Sequence, residues 1–202
     1  DVAVLDAVGE AVQEMRAEAG DRRLRIWSAG CSTGQEPLSL AMLFAEREIG
    51  EGLNAPEIVA TDISPAALTR ARAGKFSQFE IQRGLPVRRM MTWFDTVGAD
   101  WVAKPELVRK VQFRQQNLTA DPAPPGKFDI ILCRNVLLYF SPAVRRTVFD
   151  ILSSAIRPGG LLVMGAGETV IGQTDHFTPS ERFRGFYRAA IPSLHTSRAA
   201  AG

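Results

Sequence analysis

Apolar positions along the chain alternate between two periods, one helical and one extended. Leu5, Val8, Val12 and Met15 fall at helical spacing and Gly20 supplies a stop, which predicts a lead-in helix. Leu24 to Ala29 reads as a first strand, broken by Gly30-Cys31-Ser32-Thr33-Gly34. Leu38, Ala41, Met42 and Ala45 then mark one face of a helix whose first turn accommodates Pro37. Glu57 to Asp62 predicts a second strand, and Ser64-Pro65 a helix start, with serine as cap and proline at the first helical position, running to about Gly74. Val111 to Gln115 predicts a further strand. Phe128 to Cys133 is the most continuous apolar run and suits a central strand buried on both faces. Ser141-Pro142 repeats the cap-and-proline start, Val144, Val148, Ile151, Leu152 and Ala155 give that helix a buried face, and Pro158-Gly159-Gly160 is expected to end it before Leu161 to Gly165 returns to the sheet. Two short runs, Phe177 to Ser180 and Gly185 to Ala190, are joined tightly enough to pair antiparallel. Strands alternating with helices predict an α/β fold, a parallel sheet covered on both faces.

Between Lys75 and Lys110 the alternation weakens, and Gly84, Pro86, Gly98 and Pro105 punctuate short runs around Trp93-Phe94 and Trp101-Val102. This span reads as an insertion, and the pattern fits a small hairpin subdomain or irregular loops equally.

Composition narrows the class. The chain has 202 residues, 46% hydrophobic and 23% charged, enough for one compact core. No apolar run approaches the roughly 20 residues that span a bilayer, so no membrane insertion is expected and the setting is read as cytoplasmic. Cys31 and Cys133 are too few for a disulfide framework and lack metal-site spacing with His176 or His195, so a reducing compartment fits and no metal is expected. Asp1 rather than methionine opens the chain, the mark of a fragment. Net charge is only +2, yet it is unevenly spread: from Ser64 to Leu118 ten basic residues face four acidic ones, +6, against −4 elsewhere. That asymmetry suits an acidic partner or a solvated basic face. Nucleic acid is not expected, since Trp93, Phe94 and Trp101 form no evident stacking platform.

Ligands of open α/β sheets sit at the carboxyl ends of the strands, which directs attention to the first loop and the end of the second strand. Gly30 and Gly34 permit a tight turn there. Asp62 can accept from both hydroxyls of a ribose, or cap the helix that Ser64-Pro65 starts. A dinucleotide fingerprint would need glycines at 28, 30 and 33, and the chain has Ser28, Gly30 and Thr33. A nicotinamide-dependent oxidoreductase is therefore disfavoured. Glu36, near the helix start, suits a cationic ligand such as the ammonium or sulfonium of S-adenosylmethionine (SAM) better than a pyrophosphate.

Four blocks carry a family resemblance: Ile26-Trp27-Ser28-Ala29-Gly30-Cys31-Ser32-Thr33-Gly34-Gln35-Glu36-Pro37, Ala60-Thr61-Asp62-Ile63, Asn117-Leu118, and Cys133-Arg134-Asn135-Val136-Leu137-Leu138-Tyr139-Phe140. From about Leu24 to the carboxyl-terminal region the chain resembles the chemotaxis receptor methyltransferases, the CheR family. The resemblance implies a Rossmann-like class I SAM-dependent methyltransferase, with a mostly parallel seven-stranded sheet, an antiparallel last strand and a small β-subdomain inserted at about 76–110. It implies a lead-in over 1–23, a catalytic domain over 24–195 and a tail over 196–202. The implied reaction methylates glutamate side chains on the cytoplasmic helices of chemoreceptors, leaving S-adenosylhomocysteine (SAH).

Carried over by motif, Ala29 and Gly30 would lie against the cofactor, Glu36 would meet its amino-acid end, Asp62 would hold the ribose, Asn117 and Leu118 would border the adenine, and Asn135 and Val136 would lie along the methionine portion. Tyr139 would stand near the methyl group, with Asn135 and Arg134 as further catalytic candidates; Arg134 serves equally as a structural partner of an acid. A glutamate carboxylate, with an ordinary pKa of about 4.3, is already an ionised nucleophile at neutral pH, so alignment rather than proton transfer is the demand. No catalytic histidine is expected, and His176 and His195 read as incidental. The chain departs from the family at Gln35 and Leu38 and lacks its amino-terminal helical domain and Thr-x-Phe-Phe-Arg segment. The span around Phe94 to Lys104 is shorter than in members that dock a receptor's carboxyl-terminal pentapeptide, so independence from that tether is expected. A non-catalytic SAM-binding fragment is the alternative.

Overall fold

The computed structural model describes residues 2–191. The lead-in helix is α1 (Val2–Ala19), followed by β1 (Arg25–Ala29), α2 (Gln35–Glu51), β2 (Glu57–Asp62) and α3 (Pro65–Ala73). An inserted stretch carries β3 (Lys75–Ser77), α4 (Gln78–Gln82), α5 (Val87–Trp93), β4 (Phe94–Val97), β5 (Asp100–Ala103) and α6 (Pro105–Val108). The chain then rejoins the main sheet through β6 (Val111–Gln115), β7 (Phe128–Cys133), α7 (Pro142–Ala155), β8 (Ile156–Met164), β9 (Phe177–Pro179) and β10 (Phe186–Ala189).

Seven strands form one sheet in the order β6-β2-β1-β7-β8-β10-β9. The pairs from β6 to β8 are parallel, and β10, last in the chain, runs antiparallel to both β8 and β9. The expected Rossmann-like sheet with an antiparallel last strand is present. Period-two side chains divide the core: Ile26, Ile58, Ile130, Leu132 and Leu161 pack with α1 and α2, whereas Trp27, Val59, Phe128, Ile131 and Leu162 pack with α7. Both faces of β7 are therefore dry, and all six of its residues are buried.

Local signals account for the helix starts. Ser64 Oγ accepts from the backbone N–H of Ala67 at 3.1 Å and Ser141 Oγ from Val144 at 3.4 Å, each with proline at the first helical position. The expected role of Pro158-Gly159-Gly160 is corrected by the register. Helix α7 already ends at Ala155, and Ile156 pairs with Phe128 before Leu161 pairs with Ile130. The Pro-Gly-Gly run is thus a bulge inside β8, a place where a proline without a ladder N–H is tolerated.

Of the two arrangements open for the insertion, the structure has the ordered one, an antiparallel sheet in the order β3-β5-β4. It is fastened to α2 by Arg89, whose guanidinium donates to Glu46 at 2.8 Å, and by Trp93 Nε1, which donates to the same carboxylate at 3.4 Å. Among the described residues no helix is long and apolar enough to cross a membrane.

Candidate active site

The strand order reverses between β1 and β7, and at the carboxyl ends of these strands, β2 and β6 lies a crevice of about 470 Å³. The turn after β1 is its floor. The backbone N–H groups of Gly30 and Cys31 both donate to Thr61 O at 2.8 Å, which ties the turn to the end of β2. Gly30 has φ +75°, and a Cβ there would lie 2.6 Å from Val136 Cγ2, so glycine is what allows the two loops to meet. Asp62 organises the same corner. Its Oδ2 accepts from the backbone N–H of Ser32 at 2.8 Å and its Oδ1 from that of Ser64 at 2.9 Å. Each oxygen retains capacity for a further donor from the crevice side. The capping alternative for Asp62 is corrected: Ser64 provides the helix cap, while Asp62 secures the approach to α3 and lines the crevice.

A buried network supports the wall formed at the ends of β2 and β6. Trp27 Nε1 donates to Thr61 Oγ1 at 3.0 Å, Thr61 Oγ1 lies 3.1 Å from Gln116 Oε1, and Gln116 Nε2 donates to Pro122 O at 3.2 Å. Beyond it, Asn117 Oδ1 accepts from both the N–H and the hydroxyl of Thr119, at 3.0 and 2.7 Å. On the opposite wall the loop after β7 carries Asn135 with φ +58° and a 3-10 turn, Leu137–Tyr139. Ser32 and Asn135 are the described non-glycine residues with positive φ, and both line the crevice; such strain concentrates where the surrounding structure over-determines a site.

Gly30, Asp62, Asn117, Leu118, Asn135, Val136 and Tyr139, all singled out from sequence, come together on the lining. Ala29, Glu36 and Arg134 do not lie on it. Ala29 is buried at the end of β1. Glu36 Oε1 accepts from Ser28 Oγ at 2.8 Å, and its Oε2 lies 3.3 Å from Arg134 Nη1. Burial holds the Glu36 carboxyl above the usual carboxylate range, against the opposing pull of Ser28 and Arg134. Cys31 and Cys133 are buried free thiols, and burial, reinforced by the Asp62 charge, pushes the Cys31 thiol up to about 12. His176 pairs with Asp150 at 2.9 Å on the surface, outside the crevice, while His195 and the tail at 196–202 lie outside the described residues.

Sequence reading missed Ser32, Thr61, Gln116 and Glu168. The last is joined to the loop after β7 through backbone N–H groups, and backbone partners leave no mark in side-chain spacing; Asn135 in a left-handed conformation was the available hint. Chemically, among the described residues the lining holds one carboxylate and no lysine, arginine or histidine, beside apolar Ile63, Leu118, Val136 and Phe140. Apolar walls suit a purine and a carboxylate suits a ribose diol. The absence of a lining cation disfavours phosphate groups, and the net negative charge favours a cationic ligand. The donor set therefore fits a sulfonium nucleoside.

Comparison with known proteins agrees. The family described as CheR methyltransferase, SAM binding domain, matches residues 1–186. The chemotaxis protein methyltransferase 1 of Pseudomonas aeruginosa is 43% identical over 162 residues, covering 78% of this chain and 59% of that protein. The chemotaxis protein methyltransferase of Vibrio parahaemolyticus is 43% identical, covering 79% of this chain and 59% of that protein. That of Listeria monocytogenes is 34% identical, covering 85% and 63%. The matched region thus spans about three-fifths of the length of these relatives. The chain belongs to the CheR methyltransferase family, of which it carries the SAM-binding domain.

Proposed function

We propose that the crevice binds SAM and that the chain directs methyl transfer to glutamate carboxylates of chemoreceptors. The observation that carries this reading is Asp62: a carboxylate with one backbone N–H on each oxygen, facing a crevice without cationic side chains. Ala29 and Gly30 would support the cofactor from below, Asp62 would take the ribose hydroxyls, Asn117 and Leu118 the adenine, and Asn135 and Val136 the methionine portion. Glu36 would act on the amino-acid end from beneath the lining, in its pair with Arg134.

Held by Asp62, Asn117, Leu118, Asn135 and Val136, SAM would supply an electrophilic methyl, which a glutamate oxygen would take as the C–S electron pair returned to sulfur, leaving a neutral ester and SAH. No proton changes hands, because the attacking carboxylate is ionised at neutral pH. The protein's task is alignment, bringing oxygen and methyl carbon to roughly 3–3.5 Å in line with sulfur while excluding water. Tyr139, 83% exposed at the crevice mouth, and Asn135 stand where an incoming side chain would be aligned. The basic surplus between Ser64 and Leu118 would draw an acidic receptor helix toward the site, an attraction that salt weakens. Docking is proposed to proceed without a pentapeptide tether, and a titration showing micromolar pentapeptide binding would reject that part.

The test is transfer of labelled methyl from SAM to receptor membranes, followed by mild alkali. A carboxyl methyl ester releases the label as volatile methanol, whereas an N-methyl product keeps it. Alkali-stable label, or label on a receptor lacking its glutamates, sinks the reading. Because the match spans about three-fifths of the relatives' length, a second reading also has support: SAH binding without transfer, which the same assay beside a calorimetric titration separates.

A further inference from the structure

Glu168 lies on the connection between β8 and β9 and is absent from the crevice lining, yet its carboxylate gathers four backbone donors. Oε2 accepts from Asn135 at 2.8 Å and Gly165 at 2.9 Å; Oε1 accepts from Val136 at 3.0 Å and Leu137 at 2.8 Å. Three of these belong to consecutive residues of the loop after β7, the fourth to the end of β8. Converging N–H groups of this kind form a concave anion site, and here the anion is the protein's own side chain.

The arrangement is specific. Asn135 sits in the left-handed region, which among non-glycine residues asparagine adopts most readily, and the Glu168 carboxylate bonds its N–H there. A Cβ on Gly165 would lie 2.5 Å from Asn135 Oδ1 and 2.8 Å from Glu168 Oε2, so the strand end and the loop approach this closely only through glycine. From the other side, Arg145 Nε on α7 donates to Leu137 O at 3.0 Å. Glu168 therefore holds the loop by its donors and Arg145 by an acceptor. The 3-10 turn hangs from the same residues, since Tyr139 N–H donates to Val136 O at 3.4 Å and Phe140 N–H to Leu137 O at 3.1 Å. Whatever fixes Val136 and Leu137 fixes where Tyr139 stands.

We propose that Glu168 is a positioning residue for the cofactor crevice: without touching the ligand, its carboxylate sets the backbone of Asn135, Val136 and Leu137 and so places the wall that carries Asn135, Val136 and Tyr139. This rests on the crevice being the SAM site. Without the carboxylate, four N–H groups lose their acceptor and Asn135 is released to an ordinary φ, turning its side chain and Val136 away from Gly30.

The test is calorimetric titration of SAH into the 202-residue protein well below its melting temperature. Wild type comes first: no binding there refutes the crevice reading rather than this one. Given wild-type binding, Glu168→Gln, near-isosteric but with an amino group opposing two N–H donors, is expected to bind SAH at least tenfold more weakly. Glu168→Asp, whose carboxylate is withdrawn by one methylene, should fall between the two. Val148→Ala truncates a buried side chain of α7 outside the lining. It should lower the melting temperature yet leave affinity within twofold. Amide hydrogen exchange should quicken at residues 135–137 and 165 in Glu168→Gln and not in Val148→Ala. A loss smaller than threefold in Glu168→Gln, or an equal loss in Val148→Ala, overturns the proposal. Should Glu168→Gln fail to fold, Glu168→Asp decides, and wild-type affinity in that variant overturns it.

Discussion

At the two ends of the main sheet, Asp129 on one side and Asp62 with Glu168 on the other are satisfied in opposite ways, while Glu36, beneath the crevice lining, keeps an arginine partner. At the amino ends of β1, β7 and β8, Asp129 is 5% exposed and ringed by arginines. Arg22 donates to both of its oxygens, at 3.0 and 2.8 Å, Arg25 adds its backbone N–H at 2.9 Å, and Arg157 stands 3.6 Å away. The pairing with Asp129 raises the Arg22 guanidinium above its ordinary range. Arg25 then reaches on to Glu57 at 2.8 Å and covers the ring of Phe128 at 4.4 Å. Side-chain cations of Arg22 and Arg157, with the backbone of Arg25, surround the carboxylate at this end. At the carboxyl ends, Asp62 and Glu168 take backbone N–H groups instead. Backbone donors satisfy a carboxylate without bulk and without a countercharge, so the crevice stays open and its lining keeps a negative charge. One end stabilises the fold; the other is shaped for a cationic nucleoside.

The largest effect expected from this contrast is on stability. Asp129→Ala leaves Arg22 and Arg157 without their carboxylate; breaking such a pair costs about 3–4 kcal/mol, toward the lower bound here because Arg22 is 38% exposed. For a domain of this size the melting temperature should drop by about 10 °C. SAH affinity at 20 °C should stay within twofold of wild type. If affinity fell along with the melting temperature, the two ends would not be separable and the contrast would fail.

Asp62→Ala should do the converse. The ribose would lose an acceptor for two charge-assisted hydrogen bonds, about 2–3 kcal/mol or roughly a 30- to 150-fold weaker SAH dissociation constant. Stability should fall by only about 1 kcal/mol, because Ser32 is exposed and its N–H can turn to water. Calorimetry with SAH and a thermal melt on the same sample read both quantities. An Asp62→Ala protein that binds within threefold of wild type contradicts the assignment of the sugar to this carboxylate.

Much of this division was legible in the sequence, and unevenly. The strands Glu57–Asp62, Val111–Gln115 and Phe128–Cys133 occur where the sequence pattern puts them; for Phe128–Cys133 the reason is that a parallel strand dry on both faces must be a continuous apolar run, whereas Val111–Gln115 is an edge strand that alternates apolar and polar positions. Serine-proline pairs announced α3 and α7 because capping is local chemistry. What required structure was nonlocal. The Pro-Gly-Gly bulge of β8 depends on register with β7, the order of the insertion depends on Glu46 of α2, and Glu168 meets residues some thirty positions earlier through their main chain. The crevice lining followed from strand-end motifs, but the pairing of Glu36 with Arg134 rests on a contact across 98 residues that no spacing rule contains.

Gly30→Ala probes the close approach of the two crevice loops. The new methyl would demand that Val136 move by several tenths of an ångström, in a residue already at φ +75°. About 1–2 kcal/mol of stability should be lost through the backbone conformation. SAH affinity should fall roughly tenfold as Val136 is displaced. Relocation of Val136 with undiminished affinity would show that the loops need not touch for the crevice to function.

The smallest effect calibrates the others, since it concerns the same kind of bond placed at the surface of the insertion. Glu80 closes a capping box on α4: its Oε2 accepts from the backbone N–H of Ser77 at 2.8 Å, and Ser77 Oγ accepts from the Glu80 N–H at 3.3 Å. The Ser77 N–H, helped by Arg70, holds the Glu80 carboxyl below the usual range. A carboxyl whose pKa is depressed on folding stabilises the native state above its unfolded pKa and loses that contribution as pH falls through the folded value. Glu80→Gln should therefore cost about 0.5–1 kcal/mol at pH 7. The difference from wild type should be level from pH 6 upward and vanish in acid below the ordinary glutamate value of about 4.3. Paired urea titrations across pH measure it. A cost at pH 7 approaching that of Asp129→Ala would mean that a carboxylate bonded to backbone N–H groups stabilises as strongly as one ringed by arginines, and the distinction drawn between the two ends of the sheet would lose its energetic basis.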